Sequence, residues 1–275
     1  MRLVILLLSA AALQTQASAQ MLKPLRVVQL CDPQLGFGKD GFAADSARFE
    51  LAIQKVNALA PDFTVIAGDM ANDVNDNHAV AVFLKIKAKL KCRTVVTPGN
   101  HDLPDPVTEE GLKRYRHRFG ADFSVTKTKG VTLISANTQL WRVAPEKETA
   151  RQEQQLLVAL KKAKSRGDKV ILITHVPPFV KSADEKDQYY NIPAAKRAEL
   201  LQYCADYGVC IWFAGHTHKT HRNDYNGVSI LNGETTSNNF DGHPHGFRLL
   251  TLQPDGSFDW DFVELSDADM QSGNP

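Results

Sequence analysis

Five short polar stretches of this sequence carry side chains of the kinds that bind metal ions. They read CDPQ, GDM, GNHD, the His that ends KVILITH, and GHTH. A mixed set of carboxylate, amide and imidazole groups, with no thiolate among its members, suits manganese, iron or zinc. The candidate residues are Asp32, Gln34, Asp69, Asn100, His101, His175, His216 and His218.

Each polar stretch directly follows a short apolar run that is typical of a buried β-strand. The predicted strands cover residues 25–30, 63–68, 93–98, 169–174 and 209–215. In open α/β sheets, ligands bind outside the carboxyl ends of the strands. The five strands should therefore direct their polar residues to one region of the molecule.

Simpler explanations exist for each stretch taken alone. Pro98, Gly99, Asn100 and Asp102 are common turn residues. An Asp at a strand end often caps a helix, and a single His is more often a hydrogen-bonded structural residue. Polar stretches at five separate strand ends favour a metal site over a series of unrelated turns.

Segments with helical periodicity separate the predicted strands. The predicted helices cover residues 45–59, 79–90, 109–119, 148–165 and 194–206, and a hairpin is predicted at 123–128 and 131–137. Consecutive strands are predicted at 228–231, 247–252 and 258–263. The alternation indicates βαβ units with largely parallel strands, to which the terminal strands add antiparallel neighbours.

The composition allows one sizeable core and disfavours one class of partner. The chain has 275 residues, of which 43% are hydrophobic, and its formal net charge is +1. A chain of this length does not require two domains. No basic run stands out, so a nucleic acid polymer is not expected as a partner. A phosphate-bearing ligand needs only a local site and is compatible with this charge balance.

The first 19 residues have the features of a secretory signal peptide. Arg2 precedes an apolar stretch at 3–13, and Ala17-Ser18-Ala19 matches the small-x-small cleavage pattern. The apolar stretch is short for a membrane span, and an uncleaved anchor is the alternative. We therefore expect a mature single domain at 20–275 that is exported, periplasmic or secreted, and without stable membrane insertion after cleavage.

Export would permit disulfides among the four cysteines, Cys31, Cys92, Cys204 and Cys210. The absence of a CxxC pair disfavours a zinc ribbon or a thioredoxin-type site. Cys204 and Cys210 are close enough in sequence to join a helix end to the next strand. Ordinary buried thiols are at least as good an interpretation of all four.

Taken in order, the five stretches resemble the calcineurin-like metallophosphoesterase superfamily. Its motifs are D-x-H, GD, GNH(D/E), a single His and GH-x-H, and here they read DPQ, GD, GNHD, His175 and GHTH. Gln34 departs from the His of most members. The DPQ form, with DQYYNIPAAKRAELL and DGHPHGFR, is similar to the calcineurin-like phosphoesterase domain-containing branch of serine/threonine-phosphatase type. The resemblance covers nearly the whole mature chain.

The resemblance implies an α/β fold in which a two-sheet sandwich of mixed strands is flanked by helices, a four-layer αββα arrangement. It also implies two divalent or trivalent metal ions, with the choice among Mn, Fe and Zn left open. Asp69 would bridge the two ions. The remaining implied ligands are Asp32, Gln34 and His218 for the first ion, and Asn100, His175 and His216 for the second.

The departure at Gln34 affects the first of these two sites. An amide oxygen is a weaker donor than imidazole. The first site is therefore predicted either to bind its metal less tightly or to favour manganese or iron over zinc.

His101 lies outside the implied metal set and is the implied catalytic residue. An imidazole beside the metals can stabilise the phosphoryl group or protonate the leaving oxygen. Asp102 either orients that imidazole or caps the following turn. The other histidines are predicted in loops, His221, His243 and His245, or on helix surfaces, His78 and His117.

The implied function is hydrolysis of phosphomonoesters, either phosphoproteins or small phosphate esters, by a hydroxide held between two metal ions. A nucleotide or cyclic-nucleotide phosphodiesterase with the same metal cage is the alternative. The alternative outside enzymes is a catalytically inactive metal- or phosphate-binding protein. Against it, every implied ligand position carries a residue that can bind metal, and His101 is present. Substrate choice should depend on the rim segments 141–148 and 182–191.

Overall fold

A computed structural model describes residues 23–266, 268 and 269 of the protein, so the predicted signal peptide at 1–19 lies outside the described residues. Strands and helices alternate along most of the chain, as the hydrophobic periodicity predicts. The strands are β1 (Leu25–Leu30), β2 (Phe63–Ile66), β3 (Arg93–Val96), β4 (Ser124–Thr128), β5 (Val131–Ser135), β6 (Lys169–Ile173), β7 (Val209–Ala214), β8 (His221–Tyr225), β9 (Val228–Asn232), β10 (Gly246–Leu252) and β11 (Phe258–Glu264).

All the predicted helices are present, with ends that differ by a few residues. They are α1 (Gly41–Leu59), α2 (Asn77–Lys87), α3 (Glu109–Phe119), α4 (Glu146–Arg166) and α5 (Ala194–Tyr207), with a 3₁₀ turn at Thr138–Trp141. Thr108 begins α3, because its side chain accepts a hydrogen bond from the backbone N–H of Gly111. Gly167 ends α4 in the left-handed conformation that glycine adopts without strain.

The strands form two mixed sheets. The first has five strands in the order β11-β10-β1-β2-β3, and the second has six in the order β4-β5-β6-β7-β9-β8. In the first sheet β1, β2 and β3 are parallel, and β10 and β11 are antiparallel additions. In the second, β5, β6, β7 and β9 are parallel, and β4 and β8 are the antiparallel edges.

Three hydrophobic clusters define four layers. One cluster contains residues of both sheets and no helix, including Val27, Val65 and Ile171, so it lies between the sheets. A second packs α1, α2 and α3 on the first sheet, and a third packs α4 and α5 on the second. Because the central strands are covered on both faces, they are apolar at most positions, which is why they are readable in the sequence. The fold is the expected αββα sandwich.

Two details differ from the expectation. The strand β8, with sequence HRNDY, is polar at most positions and was not predicted, and it places His221 in a strand rather than a loop. The strand β9 pairs parallel to β7, so among the strands after β7 the antiparallel additions are β8, β10 and β11. The terminal strands therefore divide between the two sheets.

The four cysteines are free thiols, and Cys204 and Cys210 form no disulfide. Cys204 is buried in the cluster under α5, which agrees with the interpretation of ordinary buried thiols. Within the part of the chain that the structure describes, no helix combines the length and the apolar character needed to cross a membrane.

Candidate metal centre

The five polar stretches meet at one end of the sandwich. They follow β1, β2 and β3 of the first sheet and β6 and β7 of the second, so both sheets contribute to the same place. A cavity of about 220 Å³ opens there. Its lining consists of Gln34, Phe37, Asp69, Asn100, His101, Tyr189, Tyr190, His216, His218 and Phe240. Asp32 and His175 are fully buried against these residues, so all eight predicted site residues come together.

Five of the eight site residues have a positive φ angle, a backbone conformation that is uncommon for residues other than glycine. The positive φ angles are 47° for Asp32, 35° for Gln34, 50° for Asp69, 69° for His216 and 51° for His218. Each such residue costs about 1–3 kcal/mol, and this strain persists only where the surrounding structure enforces it. The chain therefore gives up stability in order to direct these side chains into one cavity.

Two motif glycines allow the close packing of the site. A Cβ on Gly68 would lie 2.5 Å from Nδ1 of His175. A Cβ on Gly215 would lie 2.5 Å from Oδ2 of Asp32. Both distances are shorter than a van der Waals contact, so any side chain at either position would displace a candidate ligand.

Asp69, His175 and His216 form a compact buried group in which one ligand atom from each lies within 4.8 Å of the others. Nε2 of His175 is 3.2 Å from Oδ2 of Asp69 and 3.0 Å from Oδ1 of Asn100. Two atoms that bind one metal ion at about 2.1 Å and at right angles are about 3 Å apart. The spacing of these four side chains therefore fits a shared cation.

Each of the three candidate ligand histidines donates one ring N–H to a main-chain carbonyl oxygen. The pairs are His175 Nδ1 with Ala67 at 2.7 Å, His218 Nδ1 with Asn238 at 2.6 Å and His216 Nε2 with Tyr189 at 3.0 Å. Since a carbonyl oxygen only accepts, the second nitrogen of each neutral ring keeps its lone pair. Fixing the tautomer and orientation of a ligating imidazole in this way is typical of metal sites.

Asp32, Gln34 and His218 form the other half of the centre. Nε2 of His218 is 3.5 Å from Oδ1 of Asp32. The amide nitrogen of Gln34 donates to Oδ1 of Asn72 at 3.2 Å, so its oxygen faces away from that contact. That oxygen is buried and has no hydrogen-bond partner. A buried acceptor is normally satisfied, and a cation in the cavity would satisfy it.

Charges in the centre shift the pKa values of the groups that carry them. Burial lowers the pKa of His175, but the carboxylates of Asp69 and Asp32 outweigh burial and raise it to about 9. Burial raises the pKa of Asp69, yet the neighbouring His175 holds it well below its ordinary range. Burial and the charge of His175 together lower the pKa of His216 to about 3. A metal ion that takes the place of the proton on His175 would release it on binding.

His101 lies at the edge of the group. Its backbone N–H donates to Oδ1 of Asp69 at 2.9 Å, and its ring Nδ1 donates to the carbonyl oxygen of Asn72 at 2.7 Å. Nε2 is then the ring nitrogen available to a bound ligand in the cavity. The carbonyl of Asn72 thus orients the imidazole, a role that the sequence suggested for Asp102.

Asp102 holds the backbone of the centre. Its carboxylate accepts hydrogen bonds from the N–H groups of Asp69 at 2.9 Å, Met70 at 3.0 Å and Gly99 at 2.8 Å. It therefore closes the turn at 99–102 and joins that turn to the segment after β2. Burial, with the nearby charge of Asp69, raises the pKa of Asp102 to about 7.

Tyr189 is a site residue that motif reasoning did not identify. Its hydroxyl accepts a hydrogen bond from Nδ2 of Asn100 at 3.0 Å, and its carbonyl accepts from His216. Arg142 donates to the same carbonyl at 2.9 Å. The DQYYNIP stretch was visible in the sequence, but nothing there indicated which residues its tyrosines contact. The segment 182–191 does form part of the rim, as predicted. Arg142 of segment 141–148 contacts that segment through its hydrogen bond to Tyr189.

Three comparisons with known proteins agree on this architecture. A family model described as calcineurin-like phosphoesterase matches residues 25–220. The chain is 25% identical over 254 residues to the serine/threonine-protein phosphatase CPPED1 of Danio rerio, with 83% of this chain and 81% of that protein covered.

Two solved structures are also similar. One is a dimetal phosphatase from Danio rerio, with a TM-score of 0.65, 14% identity, and coverage of 88% of this chain and 99% of that one. The other is a purple acid phosphatase from yellow lupin, with a TM-score of 0.61, 17% identity, and coverage of 89% and 52%. At these identities the likeness shows a common fold.

Proposed function

This chain belongs to the calcineurin-like phosphoesterase family, and from that premise we propose that it is an exported phosphatase acting on phosphomonoesters. It is a metal-dependent phosphoester hydrolase. One observation carries the metal-dependent part of the proposal: Asp69, Asn100, His175 and His216 lie at the spacing of metal ligands, beside an open cavity. A catalytically inactive binding protein would have no need of the additional imidazole of His101 in that cavity.

Two metal ions fit the donor atoms of the centre. In the proposed assignment Asp69 would serve both ions. Asn100, His175 and His216 would hold one ion, and Asp32, Gln34 and His218 would hold the other. The unpartnered oxygen of Gln34 supports the second group, since it is a buried acceptor without a donor. Carboxylate, amide and imidazole donors are compatible with Mn, Fe and Zn.

Bound metal ions would supply an activated water as nucleophile and neutralise charge on the phosphoryl oxygens. The chain's own residues provide the rest. The carbonyl of Asn72 accepts from Nδ1 of His101, which leaves Nε2 as the ring nitrogen for the leaving group. In the imidazolium form, Nε2 would give its proton to the leaving oxygen while Nδ1–H stays bonded to that carbonyl. Aromatic side chains, among them Phe37 and Tyr190, line the cavity and would contact the leaving group.

The preference for monoesters rests on the relatives. The curated proteins that match over more than four fifths of the chain are named serine/threonine-protein phosphatases, and such enzymes act on phosphomonoesters. Their names describe those proteins, and the substrate of this chain follows only as a proposal. A nucleotide phosphodiesterase would use the same metal ligands. The following experiment must therefore distinguish a phosphomonoesterase from a phosphodiesterase.

A substrate panel on metal-reconstituted protein tests the proposal. Phenyl phosphate, the matching diphenyl diester, a phosphoserine peptide and a cyclic nucleotide would be compared by kcat/KM after loading with Mn, Fe or Zn. The kcat/KM values for the monoesters should be higher than the value for the diester. A higher kcat/KM for the diester or the cyclic nucleotide would replace the proposal with the phosphodiesterase, and turnover of none would remove it.

Export and the mature domain at 20–275 are proposals that rest on the sequence of residues 1–19. N-terminal sequencing of the protein from its natural host should begin near Gln20. Intact Met1 on protein in the cytoplasmic fraction would contradict export and leave the phosphatase proposal unaffected.

A further inference from the structure

A second cavity, which we call the side cavity, lies next to the metal centre. It has a volume of about 170 Å³ and is lined by Val180, Tyr190, Thr217, Lys219, His221 and Phe240. Tyr190 and Phe240 line the metal cavity as well, so the two cavities have a common aromatic wall. Thr217 lies between the two ligand histidines of the GHTH stretch, so the side cavity borders the metal centre directly.

The common wall is more exposed than aromatic side chains usually are. Tyr190 is 42% exposed and Phe240 is 48% exposed. Phe240 stacks on the ring of His218, with centroids 4.9 Å apart, and Tyr190 lies 5.8 Å from His216. Exposed apolar surface at the mouth of a cavity is characteristic of binding sites. The leaving group of a phosphoester bound at the metals could cover both rings.

The polar side of the side cavity contains one cation, Lys219, and one unpartnered ring nitrogen, that of His221. Lys219 is exposed and forms no ion pair with a carboxylate among the described residues. Nε2 of His221 is buried without a hydrogen-bond partner. Both groups can donate to an anion, and an unsatisfied buried nitrogen is uncommon enough in proteins to require an explanation.

The carboxylates near Lys219 and His221 are already occupied by other donors. Asp241 accepts from the backbone N–H groups of Thr220 and His243. Glu185 accepts from the backbone of segment 180–182 and from the side chain of Asn191. None of these hydrogen bonds involves Lys219, so its ammonium is the cationic group of the cavity lining that a ligand can reach.

The geometry points to the side cavity as a subsite for an anionic group on the leaving part of the substrate. The phosphoryl group would lie at the metals, the apolar part of the leaving group against Tyr190 and Phe240, and its carboxylate or second phosphate beside Lys219 and His221. This inference rests on the proposed function. It names the substrate class as phosphomonoesters whose alcohol part carries a negative charge.

Two aryl phosphates of equal size test this subsite. Carboxyphenyl phosphate carries the charge and carbamoylphenyl phosphate lacks it, with the substituent in the 3 or the 4 position. For each protein, the kcat/KM of the carboxy substrate is divided by the kcat/KM of the carbamoyl substrate. The double ratio is this quotient in the wild-type protein divided by the same quotient in Lys219→Met, and it cancels differences in leaving-group chemistry. A partly exposed ion pair contributes up to about 1 kcal/mol, so a double ratio of about five is expected for at least one isomer.

Charge reversal and a matched control sharpen the result. Lys219→Glu should favour the uncharged substrate, and 1 M salt should reduce the preference in the wild-type protein. Lys161→Met, which changes an exposed lysine of α4 outside the lining of both cavities, should keep the wild-type ratio. A double ratio near one for both isomers, with normal turnover of phenyl phosphate, would overturn the subsite and leave the proposed function intact. Loss of all turnover would count against both.

Discussion

Buried carboxylates occur in two kinds of place in this protein, and they are neutralised differently. Asp45, Asp122, Asp168 and Glu234 each pair with an arginine. At the metal centre Asp32, Asp69 and Asp102 are equally buried, but none of them pairs with a lysine or arginine among the described residues. They face imidazoles and backbone N–H groups instead.

This difference separates structural from functional charge. A buried carboxylate with a permanent cation is neutralised within the fold, and it stays neutralised whatever binds. Among the described residues, the only side chains near Asp32 and Asp69 that can carry a positive charge are histidines. The charge of a histidine depends on a proton that a metal can replace. A metal ion bound at the centre would therefore meet carboxylates that have no permanent cationic partner, whereas the carboxylates of the arginine pairs are already neutralised.

The largest expected effect comes from removing the charge at the metal centre. Asp69→Asn should lower kcat about a thousandfold and reduce bound metal by at least one ion per chain, since a shared anionic ligand is lost. Elemental analysis and steady-state kinetics on the purified variant measure both. Asp122→Asn, which removes an equally buried carboxylate from an arginine pair, should keep its metal and its turnover. Two bound metals with normal turnover in Asp69→Asn would refute the ligand assignment.

The next effect concerns His101, which touches the centre without belonging to the proposed ligands. His101→Ala should retain the metals and lower kcat about a hundredfold, the usual size of a general-acid contribution. The loss should be smaller for 4-nitrophenyl phosphate than for phenyl phosphate, because a good leaving oxyanion needs no proton. His117→Ala, an exposed histidine of α3, serves as the control. Equal losses on both substrates would rule out proton donation and favour phosphoryl binding.

The arginine-paired carboxylates should respond in stability rather than in activity. Both oxygens of Asp122 accept from Arg116, at 2.8 and 3.1 Å. Arg116 is 30% exposed, so solvent weakens the pair. Asp122→Asn should lower the free energy of unfolding by about 2 kcal/mol, measured by urea denaturation with chelator present to remove the metal contribution. An unchanged midpoint would show that this pair is not structural.

The same variant has a defined pH dependence. Burial raises the pKa of Asp122, but Arg116 and Arg151 outweigh burial and hold it below its ordinary value of 3.8. A carboxyl with a depressed folded-state pKa contributes stability above its unfolded pKa and loses it as the pH falls through the folded one. The difference in stability between the wild-type protein and Asp122→Asn should therefore be full at pH 6 and shrink below about pH 4. A difference that grows in acid would contradict this sign.

The smallest expected effect concerns Tyr189, which contacts two of the proposed metal ligands. Tyr189→Phe removes the hydroxyl that accepts from Asn100 but keeps the carbonyl that orients His216. Affinity for zinc, measured against a chromophoric chelator, should fall about tenfold, as is common for partners of metal ligands. Tyr190→Phe is the matched control, because it changes the neighbouring ring in the same rim segment. Equal affinities in the two variants would show that the hydroxyl of Tyr189 does not position Asn100.

The fold was predictable wherever hydrophobic periodicity was strong. Strands such as β6 and β7 are covered on both faces, so their sequences are continuously apolar and end at polar residues. The edge strand β8 has no such constraint, and its polar sequence HRNDY gave no strand signal. The parallel pairing of β9 with β7 was equally unreadable, because pairing direction depends on the path of the chain between strands and not on the residues within one.

The sequence by itself predicted which side chains lie together in the candidate metal centre, because a metal site needs particular donor atoms and the ends of parallel strands bring them together. It also determined the αββα class, since alternating strands and helices leave few ways to bury their apolar faces. Only the tertiary structure decided how those donors are held. The contacts of Asn72, Asp102 and Tyr189 with the centre join segments far apart in the chain. A hydrogen bond between distant segments leaves no pattern in local sequence, so the groups that orient the site could be found only in the folded molecule.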